Sequence, residues 1–246
     1  MSGHSKWKNI QHRKGAQDAK RSNIFTKLIK EIYVAVKTGG GPDEDSNPRL
    51  RLAIQNARGA NMPKDNIKRA IKKAAGGDDE NYTEVTFEGY GTDGVAIFVE
   101  CMTDNNTRTV SNVRSYFNKH GGSLGKDGCL QFIFDRKGVF VLEQGDLDED
   151  EFMLEMIDAG AEDVEFEDGE ITITCLMEDF GNIQKQLNDM KLEPKEAGLR
   201  RIPVSTKKVT LHVFQSVMKL IDKIEADDDV QKVYHNIEFD EEFLKA

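Results

Sequence analysis

Lys64, Lys68 and Lys72 recur every fourth residue, with Arg69 and Lys73 beside them, so a helix through them carries five cations on one face. Ammonium and guanidinium groups in that array suit one chemistry above others, charge-assisted hydrogen bonding to a row of phosphates. Lys64 and Asn66 stand in the first turn of the same helix, where side chains of this kind reach base edges. A second basic cluster opens the chain. Lys6, Lys8, His12, Arg13, Lys14, Lys20 and Arg21 surround Trp7, the only tryptophan. An indole with cationic neighbours and no local apolar residues either docks on the helices that follow or stacks on a base or ribose beside the phosphate-binding groups. The arm and the helix form the candidate nucleic-acid-binding set.

Charge over the whole chain agrees with this assignment. Residues 1–75 hold 17 Lys and Arg against 6 Asp and Glu, a balance of +11, whereas residues 76–246 hold 17 against 38, a balance of −21. The formal net charge of −10 averages two opposite bodies. A chain whose bulk repels polyanions and whose basic residues are gathered at one end presents that end to a phosphate backbone.

Other motifs fail when their context is checked. Gly89, Gly91 and Gly94 match the dinucleotide fingerprint as a string, but a strand follows them instead of a helix, so they read as a hairpin turn. Residues 121–128 resemble a phosphate-binding loop until Asp127 is found after Gly125-Lys126 and His120 at the first glycine position. Asp43, Asp45 and Asn47 imitate a calcium loop, yet Pro48 and Ile54 occupy the turn-glycine and bidentate-acid positions. Asp227, Asp228 and Asp229 read as a capping turn ahead of a metal or partner contact. The five histidines show no ligand spacing, and no nucleophile sits in a recognisable elbow. No enzyme, cofactor or metal is expected. Cys101, Cys129 and Cys175, far apart and each in an apolar strand-like run, are expected to be reduced, buried and cytosolic. No apolar run reaches membrane-spanning length.

The elements that must hold these residues follow from periodicity. Residues 1–21 have almost no aliphatic side chains and read as a basic arm. Phe25, Leu28, Ile29, Ile32 and Val36 recur at helical spacing until three glycines stop them. Asn47-Pro48 opens a second helix with Leu50, Ala53, Ile54 and Ala57 inward; Pro63 starts a third with Ile67, Ala70, Ile71 and Ala74 inward. The third helix is the basic one, and with the second it resembles a helix-turn-helix. Beyond the acidic linker 78–80 the period becomes two. Strands are expected at 83–90, 95–101 and 129–134 around a helix at 107–119, then a β-α-β-β-α-β order over 139–204, and last a helix near 213–224 and a strand at 233–239. The expected architecture is α+β and multidomain: 1–76 an arm plus three helices, 77–135 with 206–246 one α+β domain, and 136–205 a ferredoxin-like domain inserted in it.

Several segments resemble the YebC family: Gly3-His4-Ser5-Lys6-Trp7, His12-Arg13-Lys14, Gln17-Asp18-Ala19-Lys20-Arg21, Asn47-Pro48-Arg49-Leu50-Arg51, Asn61-Met62-Pro63, Glu88-Gly89-Tyr90-Gly91, residues 106–110, Asp229-Val230-Gln231 and Val233-Tyr234-His235-Asn236. The resemblance covers the whole length and implies three domains with the third inserted in the second. It also implies a DNA-binding transcriptional regulator or, as for some members, a ribosome-associated translation factor that assists synthesis through proline runs. Mitochondrial members carry an extension ahead of the first segment. Here Met1-Ser2 leads directly into it, so a bacterial, cytoplasmic protein is expected. The expected partner is therefore nucleic acid, as DNA or as ribosomal RNA in the ribosome; no membrane partner is expected, and the oligomeric state is left open.

Overall fold

A computed structural model describes residues 17–76, 81–238, 240 and 243, with side chains from residue 23 onward. The architecture is an N-terminal helical region followed by two four-stranded antiparallel sheets with helices, an α+β arrangement. Helix α1 (Gln17–Thr38) ends at Gly39 to Gly41; α2 is Pro48–Gly59 and α3 is Lys64–Ala75. β1 (Thr83–Tyr90) and β2 (Ala96–Thr103) form a hairpin, followed by α4 (Asn106–Lys119) and the short β3 (Ser123–Leu124). β4 (Phe134–Glu143), α5 (Glu149–Asp158), β5 (Ala161–Glu167), β6 (Glu170–Leu176), α6 (Phe180–Asp189) and β7 (Glu196–Pro203) come next, then α7 (Leu211–Glu225) and β8 (Val230–His235). The described chain divides into two compact units. One contains Ala35–Gly76 and Arg136–Arg201; the other contains residues 17–34, 81–135 and those from Ile202 onward.

In the first unit the sheet order is β5-β6-β4-β7, the arrangement the β-α-β-β-α-β order demands. One face packs Phe140, Leu142, Ile171, Ile173 and Cys175 against Phe152 and Met156 of α5 and Ile183 and Leu187 of α6. Period-two alternation on the strands meets period-3.6 spacing on the helices, so each element buries one face. The helical segment is tied to this body at the β7 side. Asn56 donates from Nδ2 to the Ala197 carbonyl at 2.9 Å and accepts the Ala197 N–H at 2.9 Å, while Leu52 packs against the sheet's core. At Gly59 a Cβ would lie 1.9 Å from the Lys195 carbonyl oxygen. That glycine is required by close approach of backbone to backbone. The left-handed residue of the α2–α3 turn is Asn61, at φ 57°.

In the second unit the order is β3-β1-β2-β8, and β1 pairs with β2 from Thr83 opposite Thr103 to Tyr90 opposite Ala96. The glycine-rich turn between them is a hairpin connection, as expected, with a short 3-10 turn over Thr92–Gly94. Two expectations need correction. Residues 129–133 form turns, and the strand begins at Phe134. The reason is Glu88, which is buried and accepts the N–H of Gly128 at 3.0 Å and of Leu130 at 2.5 Å, while Cys129 and Ile133 donate to Lys126 and Leu130. Peptide groups so engaged cannot join a ladder. Cys129, on that turn, is exposed, whereas Cys101 and Cys175 are buried.

Candidate nucleic-acid interface

Helix α3 stands on an ordered base. Asn47 is fully buried and caps α2 by accepting the Leu50 N–H at 2.9 Å, while its Nδ2 donates to Ala35 and Gly41 carbonyls at 2.8 Å each. Pro48 supplies the first helical residue. The end of α2 closes through Ala60 N–H to Asn56 and Met62 N–H to Ala57, and Pro63 precedes α3. Within α3, Ile67, Ala70 and Ala74 are buried and Ile71 is half-buried. Lys64, Lys68, Arg69, Lys72 and Lys73 are all exposed. The basic face expected from the spacing therefore exists. Its polarity also suits the helix, with Asp65 in the first turn and Lys72 and Lys73 in the last. Asn66 is half-buried, and its Oδ1 accepts from Arg69 Nη2 at 2.6 Å, so these two candidates engage one another. Arg51 and Arg58, from the same basic block, turn instead to Glu44 and Asp45 of the preceding loop.

Lys6, Trp7, Lys8, His12, Arg13 and Lys14 lie outside the described residues, as do the side chains of Lys20 and Arg21.

The second unit holds a polar cluster that spacing alone did not bring together. Asp229 Oδ1 accepts from Lys30 Nζ of α1 at 2.9 Å, and its Oδ2 accepts from Arg108 Nη2 at 2.7 Å, with the Thr109 and Thr103 hydroxyls at 2.9 and 3.2 Å. Burial alone would push this carboxyl up. Hydrogen bonds from Arg108, Lys30 and Thr109 more than offset that and hold it at about 2. Asp227 Oδ1 accepts the Asp229 N–H, and its Oδ2 accepts from Tyr116 and Asn112 of α4. Desolvation, then the bond to Asp227, raises the Tyr116 hydroxyl to about 12. Lys30 also donates to the Asp228 carbonyl, and Lys27 to that of Glu225, where burial lowers the lysine despite the acids nearby. These aspartates cap a turn, as expected, and in addition clamp α1 and α4 to it. The cleft there is lined by Thr26, Tyr82, Asp104 and this cluster, and its charges already satisfy each other. No grouping of His, Cys, Asp and Glu among the described residues could hold a metal ion.

Two family models account for most of the sequence. Residues 5–77 match the TACO1/YebC protein N-terminal domain, and residues 82–237 match the TACO1/YebC second and third domain. The chain belongs to the TACO1/YebC family. Relatives named "Probable transcriptional regulatory protein" include one from Amoebophilus asiaticus, 54% identical over 96% of this chain and 98% of its own length, and one from Geobacillus thermodenitrificans, 51% identical over 97% of each. A solved structure titled a conserved hypothetical protein from Aquifex aeolicus superposes with a TM-score of 0.85 at 42% identity, covering 96% of this chain and 97% of that one. No helix among the described residues is long and apolar enough to cross a membrane. Arg108, Thr109 and Asp229 of this cluster fall in segments that carried the YebC resemblance, 106–110 and 229–231. Only the three-dimensional pairing reveals why Arg108 and Asp229 occur in them.

Proposed function

We propose that this TACO1/YebC protein is a non-enzymatic, nucleic-acid-binding regulator of gene expression, with α3 and the basic arm as its binding surface. The observation that carries the reading is the α3 face, five exposed cations opposite a buried apolar stripe. Lys68, Arg69, Lys72, Lys73 and the arm hold phosphates; Lys64 and Asn66 reach base edges. Duplex DNA is the leading target, supported by the names of the relatives. One observation favours folded or single-stranded RNA, such as ribosomal RNA. With Asn66 bonded to Arg69 and Asp65 in the first turn, the helix offers phosphate contacts more readily than base readout, and Trp7 between two lysines suits stacking on unpaired bases. The same reading divides the chain into an arm with three helices (1–76), an α+β domain (77–135 with 206–246) and an inserted α+β domain (136–205), and places it in the cytoplasm.

The test is titration of the full chain with duplex DNA and, separately, with ribosomes across salt. With roughly 6 to 10 phosphate contacts, affinity for the true target falls about 10³ to 10⁵-fold between 50 and 200 mM salt. Trp7 reports independently as the sole tryptophan. Trp7→Ala is expected to cost about 1–3 kcal/mol of binding if the indole stacks. Binding indifferent to salt, or undiminished by Lys68→Gln with Lys72→Gln and Lys73→Gln, overturns the proposal.

A further inference from the structure

Helix α5 presents apolar side chains to solvent on an acidic surface. Phe152 and Met156 are buried in the core beneath it, while Leu154 and Ile157, one turn apart on the outer side, are 65% and 50% exposed. Met177, 53% exposed, lies at the same end of the unit: Ala161, just after α5, pairs with Cys175, and Gly160 abuts Asp179. One exposed leucine is ordinary. Two neighbouring large apolar side chains on the outer face of one helix, with Met177 exposed beyond the following hairpin, are more than a scattered residue.

The surrounding charge indicates what this surface contacts. α5 holds Glu149, Asp150, Glu151, Glu155 and Asp158 and no lysine or arginine in its ten residues. The acids of its first turn complement the helix dipole, but Asp158, in the last turn, adds negative charge where the carbonyls already supply it. A cation from outside would relieve that arrangement. A second copy of this face would not, since like charges would oppose one another across a two-fold contact. The helical segment bearing the cations of α3 joins the opposite edge of the same sheet, at β7.

We propose that the α5 face docks a lysine- and arginine-rich protein segment carrying two apolar anchors, which seat over Leu154 and Ile157 while its cations meet the α5 carboxylates. The surface is separate from α3, so the protein can hold a polyanion and a basic protein at once.

Two labelled peptides of equal charge test this on the full chain. One carries leucines at helical i, i+3 spacing among lysines, and the other carries serines in their place. The leucine peptide is expected to bind roughly tenfold more tightly. Leu154→Ser with Ile157→Ser removes that advantage and leaves the serine peptide unaffected; the exposed positions keep the variant folded, which its melting curve checks. Glu151→Gln with Asp158→Asn weakens both peptides and flattens their salt dependence. Equal binding of the two peptides, or an unchanged leucine advantage in the double serine variant, overturns the proposal.

Discussion

Lys30 and Asp229 face each other with side chains 9% and 6% exposed, so neither charge can fall back on water when the other is removed. Asp229→Asn is therefore expected to cost about 3–5 kcal/mol in urea unfolding at neutral pH, since it leaves a buried ammonium without its counter-charge. The carboxyl is depressed from 3.8 to about 2, so its contribution is complete above pH 3.8 and fades as pH falls towards 2. The gap between parent and variant should narrow over that window. His235 acts at milder pH. Desolvation lowers its imidazole to about 3, and its Nδ1 accepts the Ile237 N–H at 3.1 Å. The unfolded chain takes up a proton near 6.5 and the folded chain does not, so stability is full above 6.5 and declines as pH falls below it, by up to about 1.4 kcal/mol per unit. Unfolding of the parent and of His235→Gln at pH 7 and pH 5 should show a shallower decline in the variant.

At the scale of elements, the boundaries of α2, α3 and β1 and the order of the β4 to β7 series were legible because each has a clear period and a stop, such as Asn47-Pro48 or Asp168-Gly169, although β4 begins at Phe134, five residues ahead of the expected start at 139. The exposed lysines of α3 were legible for the same reason. What was not legible depends on partners distant in sequence. An apolar run at 129–133 cannot announce that Glu88 will take its peptide N–H groups. The glycine at 59 reads as a turn residue until Lys195 is found against it. Gly59→Ala should then lower stability by about 1–3 kcal/mol through forced backbone displacement, whereas alanine at an ordinary helix end would be neutral or helpful. A melting curve decides it. On α3, Ile67→Asp should unfold the segment because Ile67 is 5% exposed, and Ile71→Asp should cost less because Ile71 is only half-buried. The triple glutamine change at Lys68, Lys72 and Lys73 should leave the melt unchanged and reduce the salt slope of nucleic-acid binding by about one per lysine.

At the scale of the whole molecule, opposite charges are segregated within a single compact unit. Its helical segment, 35–76, carries 9 Lys and Arg against 4 Asp and Glu, and its sheet-bearing segment, 136–201, carries 7 against 19. A polyanion approaching this unit is attracted to one part and repelled by the other, so encounters are oriented before contact. Chloride should slow association more than it speeds release, which stopped-flow mixing at two salt concentrations would resolve. The tie between Gly59 and Lys195 bears on something else, the order in which the protein is made. Lys195 leaves the peptidyl-transferase centre 136 residues after Gly59, which at about 5–20 residues per second is a delay of roughly 7–27 s. During that interval the basic helices exist on the nascent chain while Asn56 and Leu52 still lack the strand and core that receive them.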